Sequence, residues 1–521
     1  MSEPQVGPAE PRLICNSPQW QAESRFLSDA YSTLRLSVGQ RESTTTPSAS
    51  AVEKAVEALP KPGSPSYLSG LGSEAVLRHI NEDIVPALNG QNLGSRYYGF
   101  VTGGALPVAE AADNIVSALD QNVHVHLPSE TVATAVEDAA LGMVTSLLRL
   151  EPEQWPGRIF TTGATASNVL GLACGREAVI SQRLIAAGLD PKVYSVGDLG
   201  LLQACIKAGV HEIQVLTSMG HSSLYKAASI VGIGRRSVKA LPLSDAEPFR
   251  LDIAAVENET AREGVATIIA VSAGEVNTSG YATSSREDMV KLRAIADRYG
   301  AWIHVDGAFG IFARALPQTD EFSRLHEGVA GLELASSITA DGHKLLNVPY
   351  DCGIFLTRNQ TIQSEVFRNP NAAYLPPSES RTIQNPLDIG IENSRRFRAL
   401  PVYAVLLSEG RQGMSDMFAR MVRMARRVAA FVRASEEYEL LLDEEEVGVI
   451  VLFRATNAGL NKILVQRINE TRDIYVSPTS WQGSPAIRLA VSSWRVDVEK
   501  DGVVVEGILK EVAKKYQLEQ S

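Results

Sequence analysis

The sequence predicts an α/β protein in which a mainly parallel sheet is followed by a smaller α+β domain and preceded by a helical segment. Between residues 105 and 360, helical stretches alternate with short apolar runs. Several of these runs are apolar without alternation, which is typical of strands covered by helices on both faces. A chain of 521 residues is also long enough for one large α/β domain with additional segments.

The individual elements follow from these patterns in chain order. Apolar side chains at helical spacing indicate helices at 18–40 and 73–88. The predicted strands of the large domain are 158–161, 193–196, 266–272, 302–305, 336–339 and 353–356. Helices are predicted at 169–186 and at 286–299, where Gly300 marks the helix end. The predicted elements after residue 395 are a helix at 398–433, strands at 447–453 and 487–492, and a helix at 503–516.

Changes in composition divide the chain into four predicted parts. Residues 1–50 begin polar and end in a stretch rich in Ser and Thr, so we expect a disordered and partly helical extension with a linker. A helical segment at 51–104 leads to the large domain at 105–394. The small domain occupies 395–521.

The composition limits the classes of function. The formal net charge of −11 argues against binding to nucleic acids or to an anionic membrane surface, which needs clustered Lys and Arg. No apolar run reaches the roughly 18 residues of a membrane-spanning helix, and the N-terminus lacks a secretory signal pattern. The four cysteines have the spacing of neither a zinc site nor a disulfide framework. We therefore expect a cytoplasmic protein with free thiols and no metal site.

A turn rich in small and hydroxyl residues follows the strand predicted at 158–161. Residues 161–168 read Thr-Thr-Gly-Ala-Thr-Ala-Ser-Asn and open a helix. The free N–H groups and the dipole at a helix start favour a phosphate group. An ordinary capped connection between strand and helix is the alternative, and this motif alone does not decide between the two.

Two further segments carry polar residues, at 220–223 and at 271–280. The run Gly220-His-Ser-Ser223 places His221 where it could stack on an aromatic ring, although a single His more often caps a helix or faces solvent. The stretch 271–280 ends a strand in a polar loop that contains Gly, at an edge where α/β proteins bind ligands. An ordinary connection would explain this second loop equally well.

The functional interpretation depends on Asp306 and Lys344. Asp306 closes the strand predicted at 302–305, and Lys344 follows about one βαβ unit later, beside His343. A lysine amine can condense with the aldehyde of pyridoxal phosphate, and a carboxylate can keep the pyridine nitrogen protonated so that the ring accepts electrons. A helix cap or an arginine partner would also explain the aspartate, and a lone lysine is usually solvated. Together with the polar loops, the pair indicates a pyridoxal phosphate enzyme.

One run of the sequence is specific enough to indicate a family. It is Ala340-Asp-Gly-His-Lys-Leu-Leu-Asn-Val-Pro-Tyr-Asp-Cys-Gly353, and it is accompanied by matches at 98–103, 165–168, 306–308 and 394–398. With these segments the chain resembles the group II pyridoxal phosphate-dependent amino-acid decarboxylases, from about residue 70 to the C-terminus. The resemblance implies the type I, aspartate aminotransferase-like fold of pyridoxal phosphate-dependent transferases.

The resemblance also implies residues that act on the cofactor ring. Lys344 would form the covalent link to pyridoxal phosphate. Asp306 would pair with the pyridine nitrogen, and Ala308 would pack beneath the ring. His221 would stack on the ring face and help to position the carboxylate of the substrate.

A second set of residues is implied at the phosphate and near the substrate. Thr165 and Ala166 would bind the phosphate through the turn, with His343 close to the same group. Phe100 and Thr102 would lie near the substrate pocket. All of these residues stand in the segments that carry the resemblance.

Three positions bear on the choice of reaction and substrate. By resemblance, Tyr374 would return a proton to the substrate carbon from a lid that reaches the active site of a partner subunit. Glu275 stands where the aromatic decarboxylases carry Thr near the phenolic oxygen of the cofactor, so a carboxylate would change the hydrogen bonding there. Asp341 stands where Asn is usual near the phosphate, which it would repel unless turned away.

The reaction implied by the resemblance is decarboxylation of an L-amino acid to an amine and CO₂. An aldehyde synthase, an aldolase-type lyase, an aminotransferase and a non-catalytic partner subunit on the same fold remain open as alternatives. Because the family lid works across a subunit boundary, we expect a homodimer with the N-terminal segment wrapped over the partner. We expect no nucleic-acid or membrane partner.

Overall fold

A computed structural model of the chain describes residues 14–64, 67–369 and 383–521. The chain divides into two units, Met1–Leu93 and Gly94–Ser521. The boundaries at residues 50, 104 and 394 that composition suggests remain predictions. Among the described residues, no helix combines the length and the apolar character that crossing a membrane requires.

The first unit is helical. Its helices are α1 (Pro18–Gly39), α2 (Ala49–Ala58) and α3 (Ser73–His79). The helix predicted at 18–40 is confirmed, and the Ser17 hydroxyl caps its start by accepting a hydrogen bond from the Trp20 N–H. The helix predicted at 73–88 is α-helical only as far as His79, and a π-helical turn followed by a 3₁₀ turn continues it.

The second unit contains all the strands of the described residues. They are β1 (Tyr97–Tyr98), β2 (Asn122–Val123), β3 (Gly157–Thr161), β4 (Glu212–Thr217), β5 (Val238–Ala240), β6 (Val265–Ser272), β7 (Trp302–Asp306), β8 (Ser337–Asp341), β9 (Gly353–Thr357), β10 (Arg395–Arg396), β11 (Tyr438–Leu440), β12 (Ile450–Ala455), β13 (Tyr475–Trp481) and β14 (Ser484–Ala490).

Helices separate most of these strands in the sequence. They are α4 (Pro107–Ala118), α5 (Ala133–Leu147), α6 (Ala164–Ala186), α7 (Val196–Leu199), α8 (Leu201–Lys207), α9 (Ser222–Ile230), α10 (Ile253–Thr260), α11 (Arg286–Tyr299), α12 (Ser323–Gly328), α13 (Gly342–Leu345), α14 (Gln360–Phe367), α15 (Ala399–Ala434), α16 (Ala458–Glu470) and α17 (Val498–Gln520).

Seven strands form the large sheet in the order β3-β9-β8-β7-β6-β4-β5. The neighbours from β8 to β5 pair in parallel, whereas β9 runs antiparallel to both β3 and β8. Successive side chains of β6 enter different buried clusters, since Ile268 belongs to one and Ile269 to the other. Both faces of the sheet are therefore covered, which explains the unbroken apolar runs in the sequence.

Five of the six strands predicted for the large domain are confirmed, and the strand predicted at 193–196 is wrong. Residues 193–195 lead into a helix that begins at Val196. The Ser195 hydroxyl caps this helix, and both carboxylate oxygens of the buried Glu177 lie 3.2 Å from the Val196 nitrogen. Polar capping groups therefore override the apolar character of the run. The prediction also omitted β4 and β5.

The C-terminal elements build a second sheet in the order β1-β13-β14-β12-β11. The strands predicted at 447–453 and 487–492 overlap β12 and β14, while β11 and β13 were not predicted. The helix predicted at 398–433 corresponds to α15, which has a non-helical break at Gly410, and the one predicted at 503–516 lies inside α17. Because β1 pairs in parallel with β13, residues 97–98 belong to this sheet.

Candidate active site

A cavity of about 440 Å³ opens at the carboxyl ends of the parallel strands. Ser272, Asp306 and Asp341 are the last residues of β6, β7 and β8, and all three line it. Adjacent parallel strands end at the same edge of the sheet, so side chains distant in sequence converge here. This is the usual ligand position in open α/β sheets.

The turn after β3 forms one wall of the cavity. The Thr161 hydroxyl lies 2.7 Å from the Ser167 hydroxyl, a hydrogen bond that ties the strand end to the first turn of α6. A Cβ at Gly353 on the neighbouring strand would come within 2.5 Å of the Gly163 backbone, so glycine at 353 permits the close approach. Thr165 and Ala166, predicted to bind phosphate, both line the cavity.

Asp306 is held by a buried chain of hydrogen bonds. Its carboxylate accepts from the Asn168 side-chain amide at 2.9 Å. The Asn168 amide oxygen is 2.9 Å from His304 Nε2, and His304 Nδ1 is 2.8 Å from the Ser337 hydroxyl. Trp302 Nε1 donates to the same hydroxyl at 2.9 Å.

The protonation state of His304 determines which group donates and which accepts in each of these hydrogen bonds. Complete burial lowers the pKa of His304 to about 4, so the ring is neutral at neutral pH. Because the Ser337 oxygen accepts from Trp302, its hydroxyl can donate to His304 Nδ1. The His304 Nε2–H then donates to the Asn168 oxygen, which leaves the Asn168 amino group facing Asp306. Neither Asn168 nor His304 was predicted from the sequence to be a site residue.

Lys344 lies in the short helix α13 that follows β8. Its Nζ is 2.9 Å from a carboxylate oxygen of Asp341 and 5.6 Å from the centre of the Phe309 ring. The other Asp341 oxygen accepts a hydrogen bond from the Ala164 N–H at 2.6 Å. Asp341 therefore connects the amine of Lys344 to the amino-terminal end of α6.

His343 and Tyr350 stack on each other near this pair. Their ring centres are 4.5 Å apart, and the His343 Nδ1 donates to the Cys352 carbonyl at 3.0 Å. Burial lowers the pKa of His343, which favours the neutral ring. The Tyr350 hydroxyl is 3.2 Å from the Thr102 hydroxyl. Thr102 is thus one contact behind the cavity lining, whereas Phe100 and Tyr350 belong to the lining itself.

His221 combines two roles that the sequence left as alternatives, because it caps α9 and also lines the cavity. Its Nδ1 accepts from the Ser223 N–H at 3.2 Å, so the proton of the neutral ring is on Nε2. Burial is the main cause that lowers the pKa of His221. At neutral pH the residue therefore offers a neutral imidazole with one N–H donor.

Glu275 and Arg488 lie on another wall of the cavity. One Glu275 oxygen accepts from the backbone N–H groups of Asn277 and Thr278, each at 2.9 Å, so the carboxylate organises its own loop. Burial raises the pKa of Glu275 and lowers the pKa of Arg488 to about 10. Arg488 Nε donates to the Val276 carbonyl. Arg488 remains a cation at neutral pH, and it is a further site residue that was not predicted from the sequence.

The cavity brings together nine of the predicted residues. They are Phe100, Thr165, Ala166, His221, Glu275, Asp306, Ala308, His343 and Lys344. Tyr374 lies outside the described residues. A charged residue inside the apolar run 487–491 was the available signal for Arg488, and Asn168 stands inside the turn that the sequence analysis had singled out.

These residues fit pyridoxal phosphate by their chemistry. An amine, a carboxylate held by a hydrogen-bond network and a helix amino terminus line one cavity, which are the groups needed for the aldehyde, the ring nitrogen and the phosphate. His221 and Ala308 add an imidazole and a small side chain to the same lining.

The known proteins to which this chain is similar include decarboxylases. Residues 108–456 match the family model described as the pyridoxal-dependent decarboxylase conserved domain. L-2,4-diaminobutyrate decarboxylase of Acinetobacter baumannii is 28% identical over 319 residues, which cover 60% of this chain and 58% of that protein. Tryptophan decarboxylase 1 of Oryza sativa subsp. japonica is 24% identical over 468 residues, covering 84% of this chain and 87% of that protein.

Solved structures are similar over almost the whole chain. A crystal structure of Oryza sativa TDC with PLP and tryptamine has a TM-score of 0.77 at 20% identity and covers 97% of this chain and 99% of that one. The glutamate decarboxylase domain of a diaminobutyrate-pyruvate transaminase and L-2,4-diaminobutyrate decarboxylase from Vibrio parahaemolyticus has a TM-score of 0.73 at 22% identity, covering 96% and 97%. This likeness establishes the type I fold that the sequence predicted.

Proposed function

We propose a specific reaction for this chain, which belongs to the pyridoxal-dependent decarboxylase family: it removes the α-carboxylate of an L-amino acid as CO₂ and releases the amine. Membership of the family makes the chain a lyase that uses pyridoxal phosphate. The observation that carries the proposal for this site is that Lys344 and Asp306 line one cavity.

Lys344 is proposed to attach the cofactor, and Asp306 to pair with its ring nitrogen. When bound, the cofactor supplies an electron-accepting ring for the electron pair that CO₂ leaves behind. Asp306 supports this role because the Asn168 amide orients its carboxylate and burial protects the pair from water. Thr165 and Ala166 are proposed to bind the phosphate at the start of α6, with His343 nearby.

His221 and Arg488 are proposed to position the substrate. His221 can stack on the ring as a neutral imidazole and donate its Nε2 proton. Arg488 is 5% exposed, and among the described residues its guanidinium has one hydrogen-bond partner, the Val276 carbonyl. Its terminal nitrogens are therefore available to a carboxylate, which is the preferred partner of a guanidinium. Phe100 and Thr102 are proposed to lie beside the substrate side chain, and Glu275 near the phenolic oxygen.

Tyr374 is proposed to return a proton to the substrate carbon after CO₂ leaves. An aldehyde synthase is the second candidate, because phenylacetaldehyde synthase of a Rosa hybrid cultivar is 23% identical over 438 residues. We expect Tyr374→Phe to shift the product from amine toward aldehyde, since a phenyl ring cannot donate the proton and the electron pair would instead reduce O₂, with water consumed and ammonia and hydrogen peroxide released. Chromatography of both products measures the ratio, and an equal ratio in the natural chain and in the variant would remove this role.

The protein is proposed to be a cytoplasmic homodimer. No residue of α1 is buried, and its exposed apolar side chains include Trp20, Leu27, Tyr31 and Leu36. Exposed apolar surface of this kind is typical of a protein interface. Sedimentation tests the proposal, and a monomer at micromolar concentration would contradict it.

The reaction is tested by incubating the natural chain with each standard amino acid and measuring CO₂ and amine by mass spectrometry. We expect one amino acid, or a few of similar shape, to lose CO₂. Lys344→Ala is expected to lose both turnover and the visible absorbance of the cofactor linkage, whereas Lys291→Ala, on the exposed face of α11, serves as the matched control. Release of a keto acid without CO₂ would instead identify an aminotransferase.

A further inference from the structure

Asp341 is placed between two groups of the proposed cofactor site. Its side chain is 3% exposed and lies 2.9 Å from the Lys344 Nζ. Its second oxygen is 2.6 Å from the Ala164 nitrogen, the first residue of α6. A buried carboxylate thus accepts a hydrogen bond at the helix end where the phosphate is proposed to bind.

Few N–H groups are available at this helix end. The first helical bond of α6 runs from the Ser167 N–H to the Gly163 carbonyl at 3.0 Å. The N–H groups of Ala164, Thr165 and Ala166 precede it and need partners outside the helix. Because Asp341 takes the Ala164 N–H, two groups of the turn remain for an anion.

We infer that Asp341 is a positioning residue that limits how tightly the phosphate of the cofactor is held. This inference rests on the proposed function, since it takes the start of α6 as the phosphate site. Because Asp341 accepts the hydrogen bond of the Ala164 N–H, that group is not available to the phosphate. The carboxylate also adds a negative charge beside the proposed phosphate site. A phosphate bound at the start of α6 would be repelled by this carboxylate, and burial would strengthen the repulsion.

Lys344 partly offsets that charge, because its amine is the closest cation to Asp341. We expect Asp341 to weaken binding of the phosphate in spite of this ion pair. A cofactor analogue without phosphate keeps the aldehyde and the ring. Its binding depends neither on the Ala164 N–H nor on repulsion between Asp341 and a phosphate. A comparison of the two molecules therefore isolates the effect of Asp341 on the phosphate from its effect on Lys344.

The test compares the affinities for pyridoxal 5′-phosphate and for pyridoxal in the cofactor-depleted full chain, read by the visible absorbance of the linkage to Lys344. We expect Asp341→Asn and Asp341→Ala to raise the preference for the phosphorylated form at least about tenfold, the change that about 1.4 kcal/mol produces. Asp297→Asn, an exposed change on α11, is the matched control and should leave the preference unchanged. Circular dichroism and the unfolding temperature show whether each variant is folded, and if the Ala variant fails to fold, the Asn variant decides.

Three outcomes would overturn the inference. An unchanged preference in both variants would mean that Asp341 does not affect phosphate binding, and a smaller preference would mean that it supports the phosphate site. A higher preference for the phosphorylated form in the Asn variant, with no change in a folded Ala variant, would mean that the new amide causes the increase. If the natural chain gave no linkage absorbance with either molecule, the proposed function would fail and the inference with it, whereas normal absorbance with an unchanged preference would contradict only the role of Asp341.

Discussion

Two groups of side chains face the same cavity and are held in different ways. Around Asp306, the contacts are hydrogen bonds from buried neutral groups, running back through Asn168 and His304. Around Lys344, the main contact is an ion pair with Asp341. A neutral network fixes one carboxylate without cancelling its charge, whereas an ion pair exchanges partners when a new charge arrives. The fixed carboxylate of Asp306 suits a permanent partner of the ring nitrogen. The ion pair suits Lys344, whose amine would have to release the cofactor and bind it again.

The largest effect is expected when the charge at the end of the neutral network is removed. Asp306→Asn should lower kcat on the order of 100-fold, because the ring nitrogen loses its anionic partner. The visible absorbance of the Lys344 linkage should remain, since that group is held separately. Steady-state kinetics and absorbance measure the two effects. A variant with the kcat of the natural chain would show that Asp306 has no electrostatic role.

A smaller effect is expected when the network is cut one step further back. Asn168→Ala removes the side-chain hydrogen bond to the Asp306 carboxylate and the one to His304 Nε2, so the free energy of unfolding should fall by about 1–3 kcal/mol. The value of kcat should fall less than in Asp306→Asn, since the carboxylate is retained. Denaturant unfolding and kinetics provide the measurements.

Asn457→Ala provides the control for the Asn168 variant. Asn457 caps α16 by accepting hydrogen bonds from the Gly459 and Leu460 N–H groups, at 2.8 and 3.0 Å. Its loss should cost about 1 kcal/mol of stability and leave kcat unchanged. Equal effects of the two variants on kcat would show that the Asn168 contact contributes only to stability and has no specific effect on the reaction.

The effect with the least influence on kcat is a pH dependence of stability that originates in the network. The pKa of His304 is about 4 in the folded chain and 6.5 in an ordinary environment. Between these values the unfolded chain binds a proton that the folded chain does not, so stability falls as the pH is lowered through this window and is retained above it. The share of His304 is at most about 3 kcal/mol. His304→Gln should flatten the fall in chemical unfolding experiments, and an equal fall in both chains would place its origin elsewhere.

The sequence predicted the elements whose patterns are local. The fully buried strands β6, β7 and β9 and the helix α11 with its terminal Gly300 were found because burial on both faces and a C-terminal glycine leave clear patterns. The run at 193–196 has the same apolar character but becomes a helix start, because Glu177 accepts a hydrogen bond from Val196. That contact comes from another helix and has no local pattern.

The candidate site shows the same limit. Residues at or just after strand ends, such as Asp306 and Lys344, could be found because their position along the chain predicts their position at the sheet edge. Asn168 and His304 could not, since their roles depend on which helix packs over which strand. Arg488 reaches the cavity from a strand of the second sheet, and no spacing relates it to Asp306.

The proposed function depends most directly on the identity of the lysine that carries the cofactor. Reduction of the natural holoenzyme with borohydride makes the cofactor linkage permanent, and peptide mass spectrometry then locates it. We expect one pyridoxyl phosphate group per chain, on the peptide that contains Lys344. A label on a different lysine, or no label on a preparation that shows the visible absorbance, would contradict it.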